Sequence, residues 1–595
     1  MTYRKRFAAL GMSLVLTASF FTGCNVKKSL PSLKSEEKES EIQSEFDTYT
    51  DELFEEEVTL NTIALHYTLA DPAAYGINDY EISLGSVTDE SLSESVTMLE
   101  NMRSSLDDFS YPALRDDQQL TYDILDDYSK LELDNAKLYL YSEVLQPSTG
   151  THTQLPVLLA EYTFRCEKDV TDYLELLSLL PSYFDEIIQF EKSKANAGLF
   201  MSKQNADTVI SQCQDFIENP KSCFLIETFD NRIESLSTLS TSAKEEYRSQ
   251  NETYVLKKII PAYKNLAAAI EELKDSGSNK GGLCNYEDGK DYYEYLVRYS
   301  TGSSDSIKDL QKQVEQKRKE DLLQLSELLT KNPILAKESE SYQLDTSDPS
   351  QILAQLKETI KKDFPEAPDA NFTVKYVDEA LEDYLSPAFY LTSPIDDYKE
   401  NSIYINEGSH YEKMKLFTTL AHEGFPGHMY QYAYMYENVG SNYIKALSNI
   451  SAYTEGYAVY AQYEALSYLD GVDQTLLEAY KENELATYCM IILADIGIHY
   501  DGWSVEEFKE FMESKGFSLD DASIQTQYAQ LQANPAAFEP YYVGYHEIIN
   551  MKEDAQQVLG SRFHEKEFHT ALLESGIAPF QVVQQHIDAY VEKNK

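Results

Sequence analysis

Apolar residues recur every three or four positions along most of the chain, with charged residues between them. This spacing is typical of amphipathic helices, whose apolar side chains line one face. It predicts helices over residues 116–140, 169–194, 247–273, 306–329 and 350–362, separated by segments rich in turn-forming residues. The pattern indicates a mainly α fold, with a helical N-terminal part over 46–290 and a C-terminal part over 291–595.

Two short segments have a different period. Residues 371–377 and 402–406 alternate in the way of β-strands, and both precede a histidine-rich motif. We therefore expect a small β-sheet beside that motif. A sheet edge in this place could pair with an extended peptide through backbone hydrogen bonds.

The motif contains His422, Glu423 and His428 within seven residues. Neutral imidazoles bind divalent metals, and a nearby carboxylate can take the proton of a metal-bound water. The two histidines are six positions apart, so a straight helix would point them roughly 120° away from each other. Pro426 and Gly427 lie between them, and this pair predicts a kink that brings both imidazoles to one ion.

A third ligand is expected from the next predicted helix. Glu455 follows His428 by 27 residues and would leave a fourth position open to water. Glu464, Asp495 and His499 are alternatives. Asp495 and His499 share a helix face, so Asp495 could orient an imidazole, His499 could donate to an oxyanion, or the two could simply pair. Tyr542, in a cluster over 541–546, is a further candidate for stabilising a tetrahedral intermediate.

The N-terminus has the order of an export signal. Basic residues 4–6 precede an apolar stretch over 7–21 that is too short to span a bilayer comfortably. The segment over 1–23 ends before Cys24 and resembles a bacterial lipobox, with Phe21 where leucine is usual. A lipidated Cys24 would anchor the protein to the membrane, outside the cytoplasm. Residues 24–45 are polar and free of aromatic residues, which predicts a disordered tether.

Composition narrows the function further. The 595 residues include 101 acidic and 50 basic ones, for a net charge of −51, and such a surface repels nucleic acid. Eight of the ten histidines lie from His410 onward, which places any metal chemistry in the C-terminal part. The cysteines other than Cys24 have no metal-binding spacing. Cys213 and Cys223 either pair or remain buried thiols.

Several segments in order resemble the bacterial DUF885 family. The signature His-Glu-x-x-Pro-Gly-His-x-x-Gln runs from His422 to Gln431. The other matching segments are 292–301, 402–406, 455–460, 495–503, 542–544 and 568–579. That family is similar to zinc peptidases of the HExxH-plus-glutamate group, which are largely helical with a deep cleft.

The resemblance implies a Zn2+ site made by His422, His428 and Glu455, with Glu423 as general base and a peptide as substrate. Tyr542 or His499 would then stabilise the oxyanion. Asp495 and Gln431 would contact the metal ligands and hold them in orientation.

The chain departs from the family where Tyr457 replaces tryptophan, and where Tyr488 and Ile491 stand in place of frequent arginines. Two other functions stay open: a non-catalytic lipoprotein that binds peptides, and a metal hydrolase of non-peptide amides or esters. The cleavage mode and the oligomeric state stay open as well.

Overall fold

The structure is a computed structural model that describes residues 35–335, 344, 346–366, 370–377, 382, 386–409, 413–438, 440, 443–448 and 450–595. The described chain divides into two compact units, one up to Lys280 and one from Gly281 onward. The expected signal peptide and Cys24 lie outside the described residues. The sequence-based division at 290 falls ten residues later than this one.

The described residues of the first unit form ten α-helices. They are α1 Ser35–Thr59, α2 Thr62–Thr68, α3 Asp89–Asp108, α4 Asp116–Asn135, α5 Thr151–Glu161, α6 Glu167–Ala197, α7 Lys203–Phe216, α8 Phe224–Ser235, α9 Thr241–Tyr254 and α10 Ile260–Leu273. A π-helical segment, Val255–Ile259, joins α9 to α10, so the helix predicted over 247–273 is confirmed as one continuous run. Cys213 and Cys223 are buried free thiols.

The beginning of α1 corrects one prediction. The helix starts at Ser35, so the disordered tether expected over 24–45 is wrong for residues 35–45. Ile42 and Phe46 are four positions apart on this helix, and both are buried. Gln43 Nε2 also donates to the carbonyl of Ala113 at 2.9 Å. Sparse apolar residues at helical spacing are enough to dock a polar helix onto a core.

The second unit contains the remaining α-helices of the described part of the chain. They are α11 Gly289–Thr301, α12 Ile307–Lys331, α13 Pro349–Thr359, α14 Lys413–Glu423, α15 His428–Asn438, α16 Ser451–Leu466, α17 Gln474–Ile496, α18 Val505–Ser514, α19 Asp521–Ala533, α20 Glu539–Leu559, α21 Glu565–Glu574 and α22 Phe580–Asn594. Side-chain hydrogen bonds at the N-cap fix where several of these helices begin. The Ser306 side chain accepts the N–H of Asp309 at the start of α12, and Asp473 accepts the N–H of Thr475 at the start of α17.

A three-stranded sheet precedes α14. Its strands are β1 Asn371–Tyr376, β2 Ala388–Leu391 and β3 Glu400–Ile405, in the spatial order β1-β3-β2. β1 pairs with β3 in parallel, and β2 pairs with β3 antiparallel, with Tyr390 opposite Ile403. Both predicted strands are confirmed, while β2 was missed because four residues are too few to show a period. β2 forms one edge of the sheet.

Helices α16 and α20 pack closely in the core of the second unit. A Cβ atom at Gly456 would lie 2.4 Å from the Cα of Gly544, and one at Gly544 would lie 1.8 Å from the carbonyl oxygen of Ala452. Glycine at both positions therefore lets the two backbones touch. The mainly α class with a small sheet is confirmed, and α16 is the buried helix that carries Glu455.

Candidate metal centre

The helix through the histidine motif is interrupted. α14 ends at Glu423 and α15 starts at His428, and the Phe425–Pro426 peptide bond between them is cis. The N–H of Gly427 donates to the carbonyl of Ala421 at 2.9 Å, and a Cβ atom on Gly427 would lie only 1.8 Å from the His422 carbonyl oxygen. The predicted redirection of His428 is therefore present, as a break between two helices.

The break brings the two imidazoles together. Their ring centroids are 4.7 Å apart and their planes are nearly perpendicular. Nε2 of His422 and Nε2 of His428 each lie 3.4 Å from the same oxygen, Oε2 of Glu455. The candidate ligand atoms of these residues all lie within 4.8 Å of one another. Among the sequence-predicted alternatives, Glu464 instead pairs with Lys552 at 2.9 Å.

Gln462 fixes the orientation of His422, and the sequence analysis missed it. Its Oε1 lies 3.1 Å from Nδ1 of His422. An amide oxygen accepts a hydrogen bond, so Nδ1 carries the proton and Nε2 keeps its lone pair toward Glu455. Gln462 follows Glu455 by seven residues on α16, two helical turns on, and that spacing is the signal that could have found it.

The carboxylate of Glu455 and the imidazoles of His428 and His422 stabilise one another's charged forms. Burial alone would raise the pKa of Glu455, but the imidazoles of His428 and His422 lower it to about 2. Burial lowers the pKa of His428, but the charge of Glu455 outweighs burial and raises it, and the charge of Glu423 adds to this rise. Neither Gln431 Oε1 nor Gln431 Nε2 has a hydrogen-bond partner among the described residues, so the role of Gln431 beside the ligands stays a prediction. The Glu455 side chain is 4% exposed and each imidazole 12%, so the group is nearly enclosed and still reachable.

Glu423 lies between these groups and the sheet. Its Oε2 accepts the backbone N–H of Tyr390, on the edge strand β2, at 2.9 Å. Burial raises the pKa of Glu423, while His422 and His428 oppose that rise. The carboxyl group is therefore held in place by backbone and is more basic than an exposed glutamate.

The tyrosine at this centre is Tyr541, and the prediction of Tyr542 is wrong. The Tyr541 ring lies nearly parallel to the His422 ring, with centroids 6.3 Å apart. Burial, and next the charge of Glu455, raise the pKa of Tyr541 well above its usual value. Tyr542 instead lies against Cys489 and the ring of His546. Consecutive residues of a helix point about 100° apart, so α20 presents only one of them to the metal centre.

His499 and Asp495 belong to a different cluster, so the ligand, oxyanion and supporting roles predicted for them are wrong. The alternative of a local Asp–His pair agrees with the 3.7 Å between His499 Nε2 and Asp495 Oδ1. Nδ1 of His499 accepts the N–H of Leu283 at 3.2 Å, and Nε2 faces the carbonyl oxygen of Leu531 at 3.0 Å. Both nitrogens are thus engaged by backbone, and burial lowers the pKa of His499 to about 4. Asp495 Oδ2 accepts from the Tyr293 hydroxyl at 2.6 Å and from the N–H of Ala536 at 3.0 Å. These groups stabilise the fold.

A protein-family profile matches most of the chain. The sequence profile described as "Bacterial protein of unknown function (DUF885)" matches residues 72–587. The chain belongs to this family. No curated protein matches the sequence. Among the described residues, no helix is long and apolar enough to cross a membrane.

Solved structures share the fold. A candidate lipoprotein from Colwellia psychrerythraea is similar with a TM-score of 0.78 and 18% identity, over 93% of this chain and 99% of that one. A candidate lipoprotein of unknown function from Shewanella oneidensis is similar with a TM-score of 0.63 and 17% identity, over 91% and 98%. A candidate oligoendopeptidase F from Bacillus anthracis has a TM-score of only 0.32 at 11% identity, over 87% and 98%, which is too weak to bear on function.

Proposed function

We propose that this protein is a zinc-dependent hydrolase that cleaves peptide bonds, with His422, His428 and Glu455 as metal ligands. One observation carries the proposal: two imidazole Nε2 atoms converge on a single buried carboxylate oxygen at 3.4 Å each. That distance is longer than an ordinary N–H···O hydrogen bond. Two imidazoles and one carboxylate are a ligand set of catalytic zinc, which keeps a fourth position for water.

The residues present fit such an ion. Gln462 holds the tautomer of His422 that leaves Nε2 able to bind metal. Glu455 is deeply buried, and a buried carboxylate needs a positive partner. A bound zinc would lower the pKa of a coordinated water to about 7 and polarise a carbonyl group.

The protein's own groups then have distinct tasks. Glu423 takes the proton of the attacking water and passes it to the leaving amine, and its raised pKa suits that exchange. The N–H of Tyr390 keeps one carboxylate oxygen in place during both transfers. Tyr541 stays protonated because its pKa is raised, so its hydroxyl donates to the oxyanion of the tetrahedral intermediate.

The proposal also covers location. The export signal and Cys24 support lipid anchoring outside the cytoplasmic membrane. The Colwellia psychrerythraea and Shewanella oneidensis proteins are both described as candidate lipoproteins, which supports the same assignment. The net charge of −51 argues against nucleic acid as a partner.

Substitution of Glu423 by glutamine tests the function. Zinc measured by elemental analysis should stay at one ion per chain, while cleavage of a fluorogenic peptide panel falls by at least about 100-fold. The matched control is Glu437→Gln, which changes an exposed glutamate on α15 and should keep full activity.

Three other results would contradict the proposal. A wild-type protein with neither metal nor cleavage would favour peptide capture. Metal with cleavage of esters or small amides alone would favour the non-peptide hydrolase. Unchanged turnover in Glu423→Gln would remove the assigned base.

A further inference from the structure

A tyrosine follows the candidate ligand His428 by one turn of α15. Tyr432 and His428 are four positions apart, so their side chains share one face of the helix. Tyr432 is half-buried, whereas Tyr430 and Tyr434 on the same helix are buried. Tyr432 therefore presents a partly accessible phenol on the side of α15 that carries the candidate ligand.

The Tyr432 ring packs beside the strand residue that holds Glu423. Its centroid lies 6.3 Å from that of Tyr390 on β2, and the N–H of Tyr390 donates to Oε2 of Glu423 at 2.9 Å. Tyr390 is itself fixed, because its hydroxyl donates to Oδ1 of Asn401 at 2.8 Å. These contacts place Tyr432 against the same strand residue as the proposed general base.

The charge of Glu455 acts on this phenol as well. Burial raises the pKa of Tyr432, and Glu455 is the next largest cause, as it is for Tyr541 on α20. Both phenols therefore stay protonated at neutral pH and can donate a hydrogen bond. They approach the candidate metal centre from different helices, with Tyr541 beside His422 and Tyr432 beside β2.

The hydroxyl of Tyr432 is a donor that the protein leaves unused. Within the described part of the chain it makes no hydrogen bond, whereas the Tyr430 hydroxyl donates to the carbonyl of Pro365 at 2.9 Å. The backbone donor next to it is already engaged, since the N–H of Tyr390 binds Glu423. A peptide that reaches this part of β2 therefore finds the Tyr432 hydroxyl as its donor in place of the strand N–H.

We infer that Tyr432 binds the peptide substrate by donating a hydrogen bond from its hydroxyl to a backbone carbonyl next to the scissile bond. This inference rests on the proposed function. A neutral phenol suits a neutral carbonyl oxygen, while buried Glu455 and a net charge of −51 disfavour a substrate carboxylate here. Every peptide residue carries such a carbonyl, so the contact positions the peptide chain without selecting a side chain.

Substitution of Tyr432 by phenylalanine removes the hydroxyl and keeps the ring. A contact made equally in the ground state and the transition state changes KM and leaves kcat. We therefore expect KM for a fluorogenic peptide to rise about 3- to 10-fold, the effect of one neutral hydrogen bond, with kcat within about twofold. Zinc content and urea unfolding should match the wild type. An unchanged KM, or a lower kcat at unchanged KM, would overturn the inference.

The matched control is Tyr434→Phe, which removes a hydroxyl from the same helix. The Tyr434 ring lies 6.1 Å from that of Tyr430. After burial, the charges that raise its pKa are those of Glu574 and Glu437, so this phenol faces away from the candidate metal centre. Both KM and kcat should stay within about twofold. A rise in KM equal to that of Tyr432→Phe would assign the effect to α15 as a whole and overturn the inference.

Peptides with one weakened carbonyl locate the acceptor. A thioamide replaces one carbonyl oxygen by sulfur, which is a poorer acceptor, and is introduced in turn at the residues on either side of the scissile bond. One of these peptides should bind Glu423→Gln more weakly and lose no further affinity when Tyr432→Phe is added, because both changes remove the same contact. Additive losses at every position would overturn the assignment to a backbone carbonyl.

The same binding assay separates this inference from the proposed function. In an anisotropy titration with a labelled all-amide peptide, the double variant Glu423→Gln, Tyr432→Phe should bind about 3- to 10-fold more weakly than Glu423→Gln alone. Weaker binding without any cleavage by the wild type would refute the hydrolase and support Tyr432. Cleavage by the wild type with equal binding by the two variants would support the hydrolase and refute the role of Tyr432.

Discussion

The second unit contains two buried clusters made of the same kinds of side chain. The candidate metal centre consists of His422, His428, Glu423 and Glu455, and the carboxyl cluster consists of Tyr293, Asp495, His499 and Glu539. Both place histidine near carboxylate, with His499 Nε2 3.7 Å from Asp495 Oδ1 and His422 Nε2 3.4 Å from Glu455 Oε2. Proximity and burial therefore do not distinguish a reactive site from a structural one.

The hydrogen-bond partners do distinguish them. In the carboxyl cluster, both His499 nitrogens face backbone groups, and the Tyr293 hydroxyl lies 2.6 Å from Asp495 and 3.0 Å from Glu539. In the metal centre, two nitrogens face one oxygen beyond ordinary hydrogen-bond length. A histidine whose two nitrogens are both engaged by backbone groups, as those of His499 are, is held as a part of the core. A cluster whose donor atoms converge without such bonds can hold an ion.

The largest expected effect comes from removing one histidine of each cluster. His428→Ala should lose zinc and reduce peptide cleavage to background, because two ligands cannot retain a catalytic ion. His499→Ala should keep zinc and lower the free energy of unfolding by about 2–4 kcal/mol, because it leaves buried backbone groups unpaired. Elemental analysis measures the zinc content of both variants, and urea unfolding measures their free energy of unfolding. Full zinc occupancy in His428→Ala would invalidate the ligand set.

A smaller effect is expected from the neighbouring tyrosines of α20. Tyr541→Phe should lower kcat by roughly 100-fold with little change in KM, because one donor to the oxyanion is lost. Tyr542→Phe should leave kcat within about twofold, since that ring faces Cys489 and His546. Steady-state kinetics on one peptide compare them. A large loss of kcat in Tyr542→Phe alone would restore the prediction made from the sequence.

The smallest effect concerns the protons of the carboxyl cluster. Burial raises the pKa of Asp495 to about 6 and, together with Asp495, that of Glu539 well above its usual value. The folded state therefore keeps protons that the unfolded chain releases. The contribution of Asp495 to stability is complete below about pH 4 and is lost as the pH rises through about 6, and the contribution of Glu539 has the same sign.

Two near-isosteric variants test whether this cluster makes the protein less stable as the pH rises. Glu539→Gln should fold normally and flatten the fall in stability with rising pH, because an amide imitates the protonated carboxyl group. Asp495→Asn should destabilise by about 1–3 kcal/mol, because its amide oxygen can keep the two hydrogen bonds of Oδ2 only by burying the NH2 group at the position of Oδ1, which has no hydrogen-bond partner. Urea unfolding from pH 4 to pH 8 is the measurement. Stability that rises with pH in the wild type, and does so less in Glu539→Gln, would contradict the assignment.

Much of the fold was predictable because long helices repeat their pattern over many residues. The structure places α6 at Glu167–Ala197 and α12 at Ile307–Lys331, close to the predicted 169–194 and 306–329. The four residues of β2 carry no such pattern, and the polar start of α1 resembles a tether until Ile42 and Phe46 meet a core. Short elements and docked polar helices depend on contacts that are distant in sequence.

The sequence by itself determined which side chains the candidate metal centre has available. The order histidine, glutamate, proline, glycine, histidine supplies two imidazoles and a carboxylate and predicts the break between α14 and α15. Tertiary structure alone decided which distant groups join them. Gln462 and Tyr541 were selected over Asp495, His499 and Tyr542 by the rotation of α16, α17 and α20 about their axes. Helix packing sets that rotation through many small contacts, and no short motif encodes it.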